Sequence, residues 1–112
     1  MLPDVKKYLE HIMDAINEIE NFVSGVKNYS EFNKNKMLVR AVERNLEIIG
    51  EAFNRIRKED AAFTISNMKA IISMRNRVIH AYDSIDNSVI WAIILKHLPK
   101  LKSEVEELLK VN

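Results

Sequence analysis

The chain has no cysteine, two glycines, two prolines and one tryptophan in 112 residues. Without cysteine there is no disulfide scaffold, no thiolate metal site and no thiol nucleophile. Two glycines cannot build the phosphate-cradling loop of a dinucleotide-binding or P-loop protein. The longest apolar run, Val89 to Leu95, is seven residues, far short of the roughly 20 that span a bilayer. Lys6 and Lys7 fall where a secretory signal would need apolar residues, so the expected location is cytoplasmic. Charge of one sign is lacking too: 17 basic against 16 acidic side chains give +1, which excludes binding nucleic acid as a bulk polycation.

What the chain does have is helical periodicity. A length of 112 residues and 47% hydrophobic content suit one domain, 1–112, with a modest core. Val5, Leu9, Ile12, Ile16, Ile19, Val23 and Val26 follow one another in steps of four and three, one stripe of a helix. Pro3 and Asp4 suit its start, Gly25 and Asn28 its end. Leu38, Val42, Leu46, Ile49, Phe53 and Ile56 make a second stripe, with Gly50 at its edge. A glycine inside a helix costs about 1 kcal/mol relative to alanine and points to close helix approach. A third helix is expected from Ser66, a capping residue type, carrying Met68, Ile71, Ile72, Val78 and Ile79. A fourth, after Asp86, buries Ile90, Ile94, Leu98, Leu101, Val105 and Leu108, and Pro99 should kink or break it near Leu98. The pattern predicts an all-α, antiparallel bundle of four to five helices.

Chemistry concentrates in Ile71-Ile72-Ser73-Met74-Arg75-Asn76-Arg77-Val78-Ile79-His80-Ala81-Tyr82. Continuing the third helix's apolar line as 68, 71, 75, 78, 82 places Arg75 on it, a costly position for a guanidinium unless it is paired or faces a cleft. Asn76 and His80 are four apart, Arg75 and Tyr82 seven, so an arginine, an amide, an imidazole and a phenol crowd one side of two turns. This set suits cleavage of an RNA phosphodiester without a metal. An imidazole takes the 2′-hydroxyl proton or protonates the leaving oxygen, and a guanidinium neutralises the phosphorane. The same residues can also form a buried polar network at a helix or dimer interface, and spacing alone leaves both readings open. Arg77 is a further candidate RNA contact, although helical phase favours Arg75 for the cleft. His11 and His97 read as surface or boundary positions. Arg40, Arg44, Glu47, Glu51 and Arg55 read as a solvated face with a Glu51–Arg55 pair, Glu104, Glu106 and Glu107 as solvent-exposed, and Met68 and Met74 as core filler. His80 with Asp83 is not a metal set, and no metal or cofactor is expected.

Arg75-Asn76 through His80-Ala81-Tyr82 resembles the Arg-Asn-x-x-x-His-x-Tyr signature of the HEPN superfamily, in its HepT-like toxin branch. The likeness extends over the chain through Asp4, Phe32, Arg44, Ile49-Gly50-Glu51-Ala52, Asp86, Trp91 and Leu98-Pro99-Lys100-Leu101. Ser73 departs from the glycine common before Met-Arg-Asn. Asp83 replaces a frequent aromatic and adds a negative charge that orients His80 or weakens RNA affinity. The resemblance implies a helical bundle that dimerises and acts as a metal-independent endoribonuclease toxin of a type VII-like toxin–antitoxin module. It makes Arg75 and His80 catalytic and Asn76 supporting, with the two protomers' motifs facing one cleft. It further implies a minimal nucleotidyltransferase antitoxin that transfers AMP to Tyr82. The alternative is a non-catalytic helical interaction module or nucleotide binder.

The near-neutral charge is a sum of unlike parts. Residues 1–32 hold three basic and six acidic side chains, residues 33–80 ten and five, residues 81–112 four and five. All six arginines lie in the middle segment, which ends on His80. Such a local basic region attracts RNA without making the whole chain a polycation.

Overall fold

The computed structural model describes residues 2–73 and 87–110. Helix α1 (Pro3–Val23) opens with proline, whose missing N–H has no intrahelical partner to lose, and with Asp4 against the positive end of the helix dipole. Past its end Gly25 takes a φ of 86°, left-handed backbone that favours glycine. A six-residue helix α2 (Tyr29–Lys34) follows, too short for a hydrophobic stripe and absent from the sequence expectation. Its cap is explicit: the Asn28 side chain accepts from the Glu31 N–H at 3.0 Å, and the Glu31 carboxylate accepts from the Lys27 N–H at 2.8 Å. Helix α3 (Lys36–Glu59) is capped likewise, by Asn35 accepting from the Leu38 N–H at 3.1 Å.

Helix α4 opens at 68, and its described part runs to 73. Helix α5 (Asn87–Ala92), a π turn (Ile93–His97) and helix α6 (Leu98–Lys110) then form one continuous rod. The irregularity expected near Pro99 takes this form instead of a break. The Leu98 N–H donates to the Ile93 carbonyl, five residues back. Pro99 has no N–H for the carbonyl of Leu95 and its ring would press on that carbonyl, so the wider turn accommodates it while the helix continues.

Helices α1 and α3 pack lengthwise and antiparallel, since Tyr8 near the start of α1 meets Arg55 near the end of α3. Leu9, Ile12, Ile16 and Ile19 of the first stripe, and Val42, Leu46, Ile49 and Ile56 of the second, are completely buried between them and their neighbours. Each such side chain stabilises by about 1.5–3 kcal/mol relative to exposure. Val23, Val26 and Leu38, the outer members of the stripes, are only partly covered. The buried face of α3 is wider than its stripe, adding Val39, Ala52 and Asn45, whose amide is satisfied by the Ala41 carbonyl at 3.2 Å. Leu98, Leu101 and Val105 of α6 close the core from another side, with Leu108 half-buried.

Two contacts fix the smaller elements. Phe32, completely buried, lies with its ring centre 5.0 Å from that of Trp91, and the Asn87 amide donates to the Asn33 side-chain oxygen at 2.9 Å, so α2 grips α5 at two points. Lys102 Nζ sits 2.7 Å from Glu20 Oε1, joining α6 to α1, and this hydrogen bond pushes the ammonium pKa above its usual range. The described residues thus form an all-helical bundle. No described helix is long and apolar enough to cross a membrane.

Candidate functional site at the start of helix α4

The elements leading into the signature segment are held by long-range polar contacts. Ile65 is buried ahead of α4, and Met68 and Ile71 plant its first turns in the core. Between them Asn67 adopts a φ of 71°, the left-handed region that asparagine tolerates better than most side chains. Ser66 does not cap the helix as its residue type suggested. Its N–H and its hydroxyl both donate to the Glu104 carboxylate on α6, at 2.8 and 2.5 Å. Asn67 Oδ1 lies 2.9 Å from His97 Nδ1, a hydrogen bond between residues 30 apart in the sequence.

These contacts revise one expectation and add to another. Glu104 is partly covered and tied down instead of free in solvent, while His97, at the boundary position its place in the sequence suggested, gains a bonding partner. The available signal was their spacing: seven residues place His97 and Glu104 two turns apart on one face of a helix whose polar side was treated as solvent. Asn67, too, was missed; an asparagine directly before an apolar helical run is a position suited to left-handed backbone.

The gap between the end of α3 and the start of α4 is a cavity of about 590 Å³. Phe53, Ile65, Met68 and Ile72 form its apolar wall, and Arg57 and Lys69 stand at its edge, with Ser73 also lining it. The Arg57 guanidinium lies 5.9 Å from the centre of the Phe53 ring. Arg75, Asn76, Arg77, His80 and Tyr82, together with Met74, Val78, Ile79, Asp83 and Asp86, lie outside the described residues.

A second polar group lies at the far side of the α1–α3 pair. Tyr8 has His11 edge-on at 5.9 Å between ring centres, with Lys7 and Arg55 at 5.8 and 6.0 Å from its ring. His11 is exposed there, as its position on α1 suggested. The expected Glu51–Arg55 pair is replaced. Glu51 lies 3.5 Å from Arg44, which also meets Glu47 at 3.3 Å, while Arg55 turns to Tyr8. A face-on aromatic ring competes well with an exposed carboxylate, because surface ion pairs contribute little. On the same helix Glu43 has its pKa raised, by burial first and by the Glu47 carboxylate second, with Arg40 opposing.

Comparison with known proteins places this architecture. A family model described as ribonuclease HepT-like matches residues 12–108, a span that contains the whole Arg75–Tyr82 segment. A candidate RNase of Methanocaldococcus jannaschii is 39% identical, over 92% of this chain and 94% of its own length. A candidate RNase of Caldanaerobacter subterraneus is 37% identical, over 94% of both chains. A candidate ribonuclease HepT of Thermococcus cleftensis is 36% identical, over 94% of this chain and 96% of its own. No solved structure matches significantly. With nearly the full chain aligned in each case, the protein belongs to the HepT-like ribonuclease family.

Proposed function

We propose that the chain is an endoribonuclease toxin that cleaves RNA without a metal ion, as a homodimer whose two Arg75–Tyr82 segments face one cleft. The observation that carries this reading is the family match running through a segment that keeps Arg75, Asn76, His80 and Tyr82 together. In the proposed reaction the ribose 2′-oxygen attacks the adjacent phosphorus and the P–O5′ bond breaks, leaving a cyclic phosphate on one fragment and a 5′-hydroxyl on the other. His80 accepts the 2′-hydroxyl proton or supplies the proton to the departing 5′-oxygen. Arg75 stabilises the charge that builds on the non-bridging oxygens, a role a forked guanidinium fills better than an ammonium. Asn76, one helical turn before His80 in the sequence pattern, orients the imidazole, and Arg77 contacts the RNA backbone.

Regulation follows from the phenol. A minimal nucleotidyltransferase antitoxin transfers AMP to Tyr82, and the added phosphate excludes an RNA phosphate from the neighbourhood of His80 by bulk and like charge. The test is cleavage of RNA by purified, unmodified protein in EDTA. Wild type should cut, while His80→Ala and Arg75→Ala lose at least about 100-fold, the scale of a removed acid–base or charge-stabilising group, with helicity retained. Equal behaviour of wild type and His80→Ala would sink the catalytic reading in favour of a non-catalytic interaction module.

A further inference from the structure

We propose that the cavity between the end of α3 and the start of α4 is a subsite for one nucleotide of the RNA strand, beside the phosphate that is cut. The inference rests on the RNA-cleaving reading and deepens it. The cavity, about 590 Å³, falls in the range of small-molecule sites. Its lining divides into two chemistries. The half-buried Ile72, backed by the buried Phe53, Ile65 and Met68, offers an apolar floor suited to the face of a base, while the exposed Arg57 and Lys69 offer two cations suited to a phosphate. No carboxylate is among the described lining residues. Arg57 lies against the Phe53 ring and has no carboxylate partner among the described residues, which leaves its fork open to an anion. An apolar peptide or a second copy of the chain would fit the wall but would bury these two cations without counter-charge, a costly arrangement.

Position supports the same occupant. Ser73 lines the cavity and is two residues before Arg75, and two residues of chain reach no further than about 7 Å. One or two nucleotides bridge that distance at about 3.4 Å or more per step. A strand anchored by Arg57 and Lys69 is thereby delivered to the proposed catalytic arginine, and the contacts to Glu104 and His97 hold the near wall in place.

The experiment measures binding of a fluorescein-labelled, single-stranded 2′-O-methyl RNA of about a dozen nucleotides to the full-length, unmodified protein across a salt series. Blocked 2′-oxygens prevent cleavage, so affinity is read alone. Arg57→Gln/Lys69→Gln should bind about tenfold more weakly and lower the salt slope by about 1.4, two phosphate contacts on a single strand. Lys69→Glu alone should also weaken binding. Lys27→Gln/Lys110→Gln, exposed and outside the basic middle segment, should match wild type. Unchanged affinity and slope in the double variant, with wild type still cutting ordinary RNA, would overturn the subsite and leave the ribonuclease reading standing. A wild type that neither cuts nor binds RNA would overturn both. A double variant that changes sedimentation but not RNA affinity would assign the cavity to contact between copies and overturn the subsite.

Discussion

Ser66 and Glu104, 38 residues apart in the sequence, are joined by two hydrogen bonds to one carboxylate. The contact crosses from the last helix to the residue ahead of α4, and Asn67–His97 repeats the crossing one residue later. Helix α4 is therefore started by α6 as much as by its own sequence. Since Ser73, the last described residue of α4, is two residues before Arg75 in the sequence, these two crossings hold the described turns that precede the signature segment.

Glu104→Ala should cost about 1–2 kcal/mol in urea unfolding, the range for losing hydrogen bonds to a charged acceptor, scaled down for partial exposure. Glu104→Gln should recover part of the loss, because its amide oxygen still accepts one of the two donors. RNA cleavage should fall with the alanine variant more than stability alone explains. A variant with wild-type unfolding and wild-type cleavage would show that the tether positions nothing.

The core makes a sharper quantitative demand. Ile16 and Leu46 are completely buried between α1 and α3. Ile16→Ala or Leu46→Ala should each cost about 2–5 kcal/mol, transfer plus cavity, a large share of the roughly 5–15 kcal/mol of a domain this size. Met37, 83% exposed at the start of α3, should tolerate alanine within about 0.5 kcal/mol. Thermal or urea melts of the three variants, compared at one pH, check the contrast.

Both long helices were legible because their apolar residues repeat every three or four positions, the single pattern that a two-sided helix must carry. Helix α2 was not, because six residues hold only one buried side chain, Phe32, and no period can be read from one point. Asn45 escaped for the opposite reason: a polar residue on a buried face looks solvent-facing until its amide is seen bonded to Ala41. The polar contacts around Ser66, Asn67, His97 and Glu104 depend on which residues of distant segments meet, and local periodicity carries no information about that. The family was legible in a different way, from the resemblance carried by the Arg75–Tyr82 signature, and the family model matches residues 12–108; residue types and spacing alone leave catalysis and a polar network both open.

Glu43 supplies a pH prediction. Burial and the neighbouring Glu47 carboxylate raise its pKa in the folded protein above the ordinary 4.5, against a smaller opposite effect of Arg40. The folded state thus holds this proton more tightly than the unfolded chain. The stability it contributes is complete below pH 4.5 and is lost as pH rises through the folded value. Glu43→Gln, neutral throughout, should be more stable than wild type at pH 7, with the difference shrinking to nothing as pH falls below 4.5. Melting temperatures of both proteins across that interval decide it, and a gain that persists at low pH would point to packing instead of charge.

Tyr82→Phe separates regulation from catalysis. The proposed modification needs the phenol oxygen as the atom that takes the adenylyl phosphorus, and phenylalanine keeps the ring while removing that oxygen. Co-expressed with the proposed nucleotidyltransferase partner, wild type should gain the mass of one or more AMP groups on Tyr82 and lose RNA cleavage. Tyr82→Phe should keep its unmodified mass and continue to cut RNA in the presence of the partner, so cells carrying both genes should stop growing. If Tyr82→Phe is neutralised as well as wild type with no change in mass, the partner acts by binding and not by modifying the phenol. If the variant is inactive even without the partner, the phenol belongs to the cleavage site itself, and AMP on it would block the reaction by removing a participating group.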